Sequence, residues 1–459
     1  MKTSFYEQYF TVLRMALVSG WQAKPLAVSR VRVDAISRRE AKDFLAACHR
    51  GFEKAQNRIV EMLCSINSDS MLCEDERGLR ILLLRKAADA IAHNLLQHRI
   101  HYVRRLLLHE DAPTINVPVL LAAHKEANRL NSESRLTFAL LADLTTFVHV
   151  ADIVRIDFRS AKARVSLIEL KSGRVNKLLL EHLEHYESKP ESLAVLRSDP
   201  AIEPRHLKQA ERMLRQKIRH LQLKEIIETD EGVDFVSGAK VVWSKEETKL
   251  ESFDAFLERL CTAAMRTGGG AGSVSHCLHL GVGFADNTNE ARFRAIECVN
   301  FAIRAHMRDL PKELATVVDE VRAVVPEGER FMVTNCFESN LASLAVRPFL
   351  NWRLETSHIQ SLVKRELVIM LAFDVAGFLW LCRRIGFQIG FGTKRKAAEH
   401  QQLFGKENIV TWGGRELSYE TPRGNYSVGG GILSRFANDL SNPLAFMKAT
   451  FEQDVGTLH

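Results

Sequence analysis

Eight cysteines are scattered over 459 residues with no CxxC pair and no regular spacing. That excludes the disulfide framework of a small secreted scaffold and points to buried thiols in a reducing compartment. Long apolar runs are also missing. The most apolar stretch, LVIMLAFDVAGFLWLC at 367–382, is 16 residues long and contains Asp374, so it suits a buried helix better than a membrane span. The N-terminal MKTSFYEQYFTVLRMALVSG carries Arg14 within its apolar part and lacks a small-residue cleavage site, which reads against a secretory signal. The expected location is the cytoplasm. There is no internal repeat, no low-complexity tract and no ATP-binding motif. GGGAGS at 268–273 lacks the Gly-Lys-Ser/Thr of a phosphate-binding loop and reads as a flexible linker. His182 and His185 share a helical face without an HExxH pattern. His276, Cys277 and His279 crowd one expected strand too closely for zinc and read as buried strand residues.

The composition that remains is ordinary for a folded protein: 46% hydrophobic and 26% charged residues. Lys and Arg outnumber Asp and Glu by 63 to 56, a formal net charge of +7, a bias compatible with a polyanionic partner but insufficient to identify one. A chain of this length predicts two or three domains. Helix signals dominate 37–109, where Ser37 to Glu40 fits a capping box. Pro113 and Pro118 then break the pattern ahead of the helix VLLAAHKEANRL. From Phe147 to Gly173 β-branched residues predict strands, FVHVADIVRI and ARVSLIEL. Helical patterns return in EPRHLKQAERMLRQKIRHLQLKEIIE and SFDAFLERLCTAAMRT, followed by the strand HCLHLGVGFA. The domains expected are a helical N-terminal region at 1–112, a mixed-sheet α/β core at 113–300 and an α+β accessory region at 301–459.

Chemistry concentrates in ADIVRIDFRSAKARVSLIELKSGR, 151–174. With Ser160 and Ala161 at the hairpin tip, antiparallel pairing sets Asp152 opposite Glu169, while Lys171 shares the face of Glu169 and Asp157 takes the opposite face. Adjacent carboxylates repel, and a divalent cation is their natural compensation. Oxygen donors suit Mg²⁺ or Mn²⁺, which activates water and stabilises charge developing on a phosphodiester. Lys171 is placed to orient that water or to stabilise the transition state.

An aspartate in one strand followed by Glu-x-Lys in the next resembles the metal-dependent PD-(D/E)XK nuclease superfamily, over roughly residues 117–285. The resemblance implies a restriction-endonuclease-like fold, metal ligation by Asp152, Glu169 and the backbone carbonyl of Leu170, and catalytic assistance from Lys171. It also assigns a helical glutamine to Gln209, with Arg212 nearby, and a further glutamate to Glu126. Ala151 stands where the family's eponymous proline would be. The activity implied is that of a Mg²⁺- or Mn²⁺-dependent endonuclease acting on DNA, as in restriction and antiviral defence proteins, with the N- or C-terminal region contacting a protein partner and no membrane involved.

Glu-x-Lys alone is uninformative, because it recurs at Glu40, Glu187 and Glu247 in helical or solvated stretches. The competing explanations are an edge hairpin with an ordinary wet face, or a non-catalytic module that binds nucleic acid or a partner through its basic helices. RHLKQAERMLRQKIRHLQLK and Lys394–Arg395–Lys396 fit phosphate tracking and also fit plain solvated faces.

Overall fold

The computed structural model describes residues 4–23, 38–96, 103, 106–107, 112, 114–159, 164–170, 174–183, 185, 192–199, 202–229, 231–233, 240–242, 251–344, 346–404, 409–421 and 424–455. The chain is mixed α/β and divides into two compact units, Met1–Glu247 and Thr248–His459. Neither expected boundary, at 112 nor at 300, coincides with that division. No helix among the described residues is long and apolar enough to cross a membrane, and the eight cysteines are free thiols.

In the first unit, α1 (Phe5–Ala23), α2 (Arg38–Ser68) and α3 (Glu74–Leu95) pack together, and α2 and α4 (Val117–Glu133) lie against β1 (Thr137–Leu141). Helix α2 forms because its apolar residues recur at helical spacing: Phe52, Ala55, Ile59, Leu63 and Ile66 are all buried. Asn116 caps α4 by accepting a hydrogen bond from the Val119 amide at 3.3 Å. The sheet β1-β2-β3 adds β2 (Ile153–Asp157) and β3 (Arg164–Ile168), antiparallel throughout. A mixed sheet was expected here; among the described residues no parallel pair joins it.

The outer edge of β1 is closed by side chains. Gln56 of α2 donates to Ala139 O at 3.1 Å and accepts from Leu141 N at 2.9 Å, and Asn131 accepts from Ala139 N at 2.6 Å. These bonds satisfy the edge that would otherwise invite another strand. They also explain why the N-terminal helices form one unit with the sheet. Beyond β3 come α5 (Arg174–Leu183), α6 (Ser192–Arg197) and α7 (Pro204–Thr229), which share a core of Leu179, Leu183, Leu196, Ile202, Ala210, Leu214 and Ile218. The hairpin of β4 (Glu231–Val233) and β5 (Lys240–Val242) follows.

The second unit begins with α8 (Asp254–Thr267), then β6 (Gly269–Val274), β7 (Leu278–Phe284) and α9 (Thr288–Arg308), which runs unbroken through residue 300. GGGAGS is therefore a cap and a strand, where a flexible linker was expected. Its glycines read locally as breakers, but their role is close approach: a Cβ at Gly270 would lie 2.5 Å from Leu260 O of α8. On β7 a Cβ at Gly281 would lie 2.1 Å from Ala295 O of α9.

After α10 (Lys312–Arg322), β8 (Phe331–Asn335), α11 (Cys336–Ala342) and α12 (Thr356–Val363), the chain enters β9 (Leu367–Asp374) and α13 (Val375–Arg384). The sheet order is β6-β7-β9-β8. The run at 367–382, expected as one buried helix, is thus a strand followed by a helix. All eight β9 residues are buried, so the strand shows no alternation to distinguish it from a helix. Asp374 makes the switch by capping α13, its carboxylate accepting from Ala376 N at 3.0 Å. A smaller sheet contains β10 (Gln388–Phe391), β11 (Thr411–Trp412), β12 (Arg415–Thr421) and β13 (Gly424–Ser427), with α14 (Lys394–Phe404) inserted after β10 and α15 (Gly430–Ala437) and α16 (Pro443–Val455) closing the unit.

Candidate active site

The hairpin register is the expected one. Ile153 pairs with Ile168 and Asp157 with Arg164, so the next positions outward are Asp152 and Glu169. Asp152 N donates to Ile168 O at 3.1 Å, continuing the ladder by one bond. The residues of the turn, 160–163, lie outside the described residues. Asp157 occupies the opposite face, as expected, and its carboxylate is taken up by Arg159. The expected strand from Phe147 is shorter than anticipated. Residues 147–152 form a mostly buried irregular segment tied by Val148 N to Thr145 Oγ1 at 3.0 Å and by His149 N to Leu106 O at 2.9 Å.

Half-buried Asp152 and Glu169 therefore stand at one end of the sheet, just outside the strands. The Asp152 carboxylate accepts a hydrogen bond from Leu170 N, which brings the backbone of Leu170 against the aspartate. Glu169 Oε1 accepts from Gln216 Nε2 of α7 at 3.0 Å. The expected glutamine was Gln209. Gln209, exposed Arg212 and Gln216 recur at helical spacing opposite the apolar face of α7, so the stripe was legible although the glutamine seen on Glu169 is Gln216, two turns further along. Lys171 lies outside the described residues. Glu126 is engaged by Arg129 at 2.7 and 3.0 Å, and those bonds hold its carboxyl below the usual range.

A third carboxylate, Asp143, escaped the sequence reading. It sits in the short 3-10 turn Ala142–Leu144 that follows β1, at the same end of the sheet, where Ala142 N donates to Asp152 O at 3.0 Å. Burial raises the Asp143 pKa, Arg85 opposes that shift, and the neighbouring Glu169 charge adds to it. The signal available in sequence was a lone aspartate after the apolar run FALLA, in LLADL. Helix α3 fixes this turn: Arg85 donates to Asp143 O at 3.3 Å, and buried Asp89 accepts from Thr146 N and Thr146 Oγ1, both at 2.7 Å. Lys86, buried beside Asp89 at 3.4 Å, has its pKa lowered by burial while the aspartate opposes the shift.

The donor set is all oxygen, which suits a hard divalent ion. Mg²⁺ is commonly held by one or two carboxylates and otherwise by water. The Asp152 and Glu169 pair fits that pattern. Among the described residues, the one group of three possible ligand side chains with atoms within 4.8 Å of one another is elsewhere: Glu258, Glu355 and His358. There Glu258 accepts from Glu355 N at 3.1 Å and hydrogen-bonds His358 Nδ1 at 3.0 Å, contacts that tie α8 to the start of α12. No protein family, curated protein or solved structure matches the chain.

Proposed function

We propose that the chain is a metal-dependent nuclease with a restriction-endonuclease-like core in its first unit, hydrolysing phosphodiester bonds in DNA as an endonuclease. The observation that carries this reading is the convergence of Asp152 and Glu169 at one sheet end, with Asp143 alongside and Gln216 on Glu169. Asp152, Glu169 and the Leu170 carbonyl would hold Mg²⁺ or Mn²⁺, which supplies Lewis acidity and a water of lowered pKa. Glu169 is oriented for this task by Gln216, and Asp152 by the Leu170 amide. Lys171, next along the chain, orients the attacking water or stabilises charge on the phosphate. Water adds its hydroxyl to phosphorus, one P–O ester bond breaks, and the proton ends on the leaving oxygen. Action in the cytoplasm in restriction or antiviral defence, with a protein partner bound through a terminal region, extends the same proposal.

The test is cleavage of linear and circular DNA, single and double stranded, with Mg²⁺, Mn²⁺ or EDTA, by wild type, Glu169→Gln and Lys171→Ala. Metal-dependent cutting lost in both variants is the expected result. Salt-sensitive DNA binding without turnover by the folded wild type would instead identify a binding module. Equal cutting with and without chelator would overturn the metal mechanism.

A further inference from the structure

The second unit contains a cavity of about 640 Å³ that the nuclease reading does not use. Two cationic side chains, Arg384 and Lys448, line it together with the imidazoles of His276 and His306. No carboxylate is among its described lining residues. One wall is apolar, made by Leu381, Ile385 and Leu444. Its size lies within the range of small-molecule sites, and a few polar groups converging on a partly apolar cleft are what such sites share.

Three further observations point to an anion. First, the positive charges are not neutralised within the cavity. Arg384 stacks on Trp380, 5.1 Å from the ring centre, an arrangement that leaves its charge available. Lys448 is exposed, with no ion pair among the described residues. Second, burial, with neighbouring cations and imidazoles, disfavours added positive charge at both imidazoles. Burial, then Arg384 and His279, lower the His276 pKa, while burial, His279 and His276 push His306 down to about 4. The buried Nε2 of His306 has no hydrogen-bond partner.

Third, the wall is set by an unusual turn. Ser275 and His276 link β6 to β7 with φ of 52° and 61°, consecutive left-handed residues where a glycine is ordinarily preferred. Ser275 Oγ donates to Asn442 Oδ1 at 3.0 Å, and a Cβ at Gly377 would lie 2.0 Å from His276 O, so neighbours on both sides hold the turn in place. Behind it, fully buried His279 bonds Ser273 Oγ at 2.8 Å, and its Nε2 stands 3.9 Å from Asp374. Arg330 in turn grips Asp374 at 2.9 and 3.1 Å. That paired carboxylate is committed behind the wall and does not neutralise the cavity.

We propose that this cavity binds a small organic phosphate, with Arg384 and Lys448 contacting the phosphate and the apolar wall receiving the organic part. Occupancy supplies the negative charge that the cavity lining lacks.

The test is calorimetric titration of the full chain at low ionic strength and pH 8 with inorganic phosphate, AMP and adenosine. The expected pattern is saturable binding of AMP, weaker binding of phosphate and none of adenosine. Arg384→Ala and Lys448→Ala, both at exposed positions, should each weaken AMP on the order of tenfold while retaining the wild-type circular dichroism spectrum. Absence of saturable AMP and phosphate binding, or affinities unchanged in both folded variants, would overturn the proposal. Equal affinity for phosphate and AMP would overturn the assignment of an organic phosphate. The measurement contains no cleavage step, so its failure is separate from failure of the nuclease reading.

Discussion

Each unit buries a matched ion pair and sets charges of one sign beside it, carboxylates in the first and cations in the second. In the first, carboxylates converge at a sheet end, where Gln216 donates to Glu169 and the Leu170 amide to Asp152, and the buried pair Lys86 and Asp89 lies on the neighbouring helix. In the second, Asp374 is fully buried and matched by Arg330, while surplus positive charge lines an adjacent cavity. A matched buried pair contributes little net stability, yet breaking it is expensive because a naked charge remains. Surplus cations lining a cavity stay costly until an anion arrives. Structural and ligand-binding charge can therefore be separated by what each loses when one member is removed.

The largest effect should come from the matched pair. Asp374→Ala leaves Arg330 buried without its partner and also removes the cap of α13, and should destabilise the second unit by about 3–5 kcal/mol. Urea unfolding followed by tryptophan fluorescence measures this, and a loss below about 1 kcal/mol would show that solvent reaches the pair. Next comes the carboxylate site. Glu169→Gln keeps the shape and can still bond Gln216, so stability should hold while metal-dependent cleavage falls at least about a hundredfold.

A pH titration sharpens the contrast further. His306 has a folded pKa near 4, below the ordinary value of 6.5, so the unfolded chain takes up the proton first. Stability is fully present above pH 6.5 and is lost as pH falls toward 4, by about 1–2 kcal/mol after allowing for solvent screening. His306→Gln should flatten that slope in thermal unfolding between pH 7 and 4, and an unchanged slope would place the loss elsewhere. The smallest effect is at Asp143, whose raised pKa means that its charged form is penalised at neutral pH. Asp143→Asn should stabilise the metal-free protein by less than about 1 kcal/mol, and Mn²⁺ should narrow the gap between variant and wild type. A destabilised variant would show Asp143 to be held by favourable contacts instead.

Much of the carboxylate site was legible because strand chemistry is local. Alternation fixes which side chains share a face, and a hairpin register then sets Asp152 against Glu169 from residue positions alone. The helical stripe of α7 was legible for the same reason, through its period. Asp143 was not, because its place depends on β1 lying beside β2 and on α3 gripping the turn, neither of which leaves a periodic trace. The run at 367–382 misled for a related reason: a strand buried on both faces and the first turns of a buried helix are equally apolar.

Sequence by itself determined the helical N-terminal segments, the hairpin and its register, the helix after Pro118 and the absence of a disulfide framework. Each follows from short-range rules of period, turn and side-chain chemistry. Tertiary structure alone decided that GGGAGS becomes strand, that α9 crosses the expected boundary at residue 300, which glutamine contacts Glu169, and that the cations of the second unit share one cavity. These depend on which surfaces approach one another. Gly270 is tolerated within β6 because α8 passes too close for a side chain, a constraint that exists only once the helix is in place.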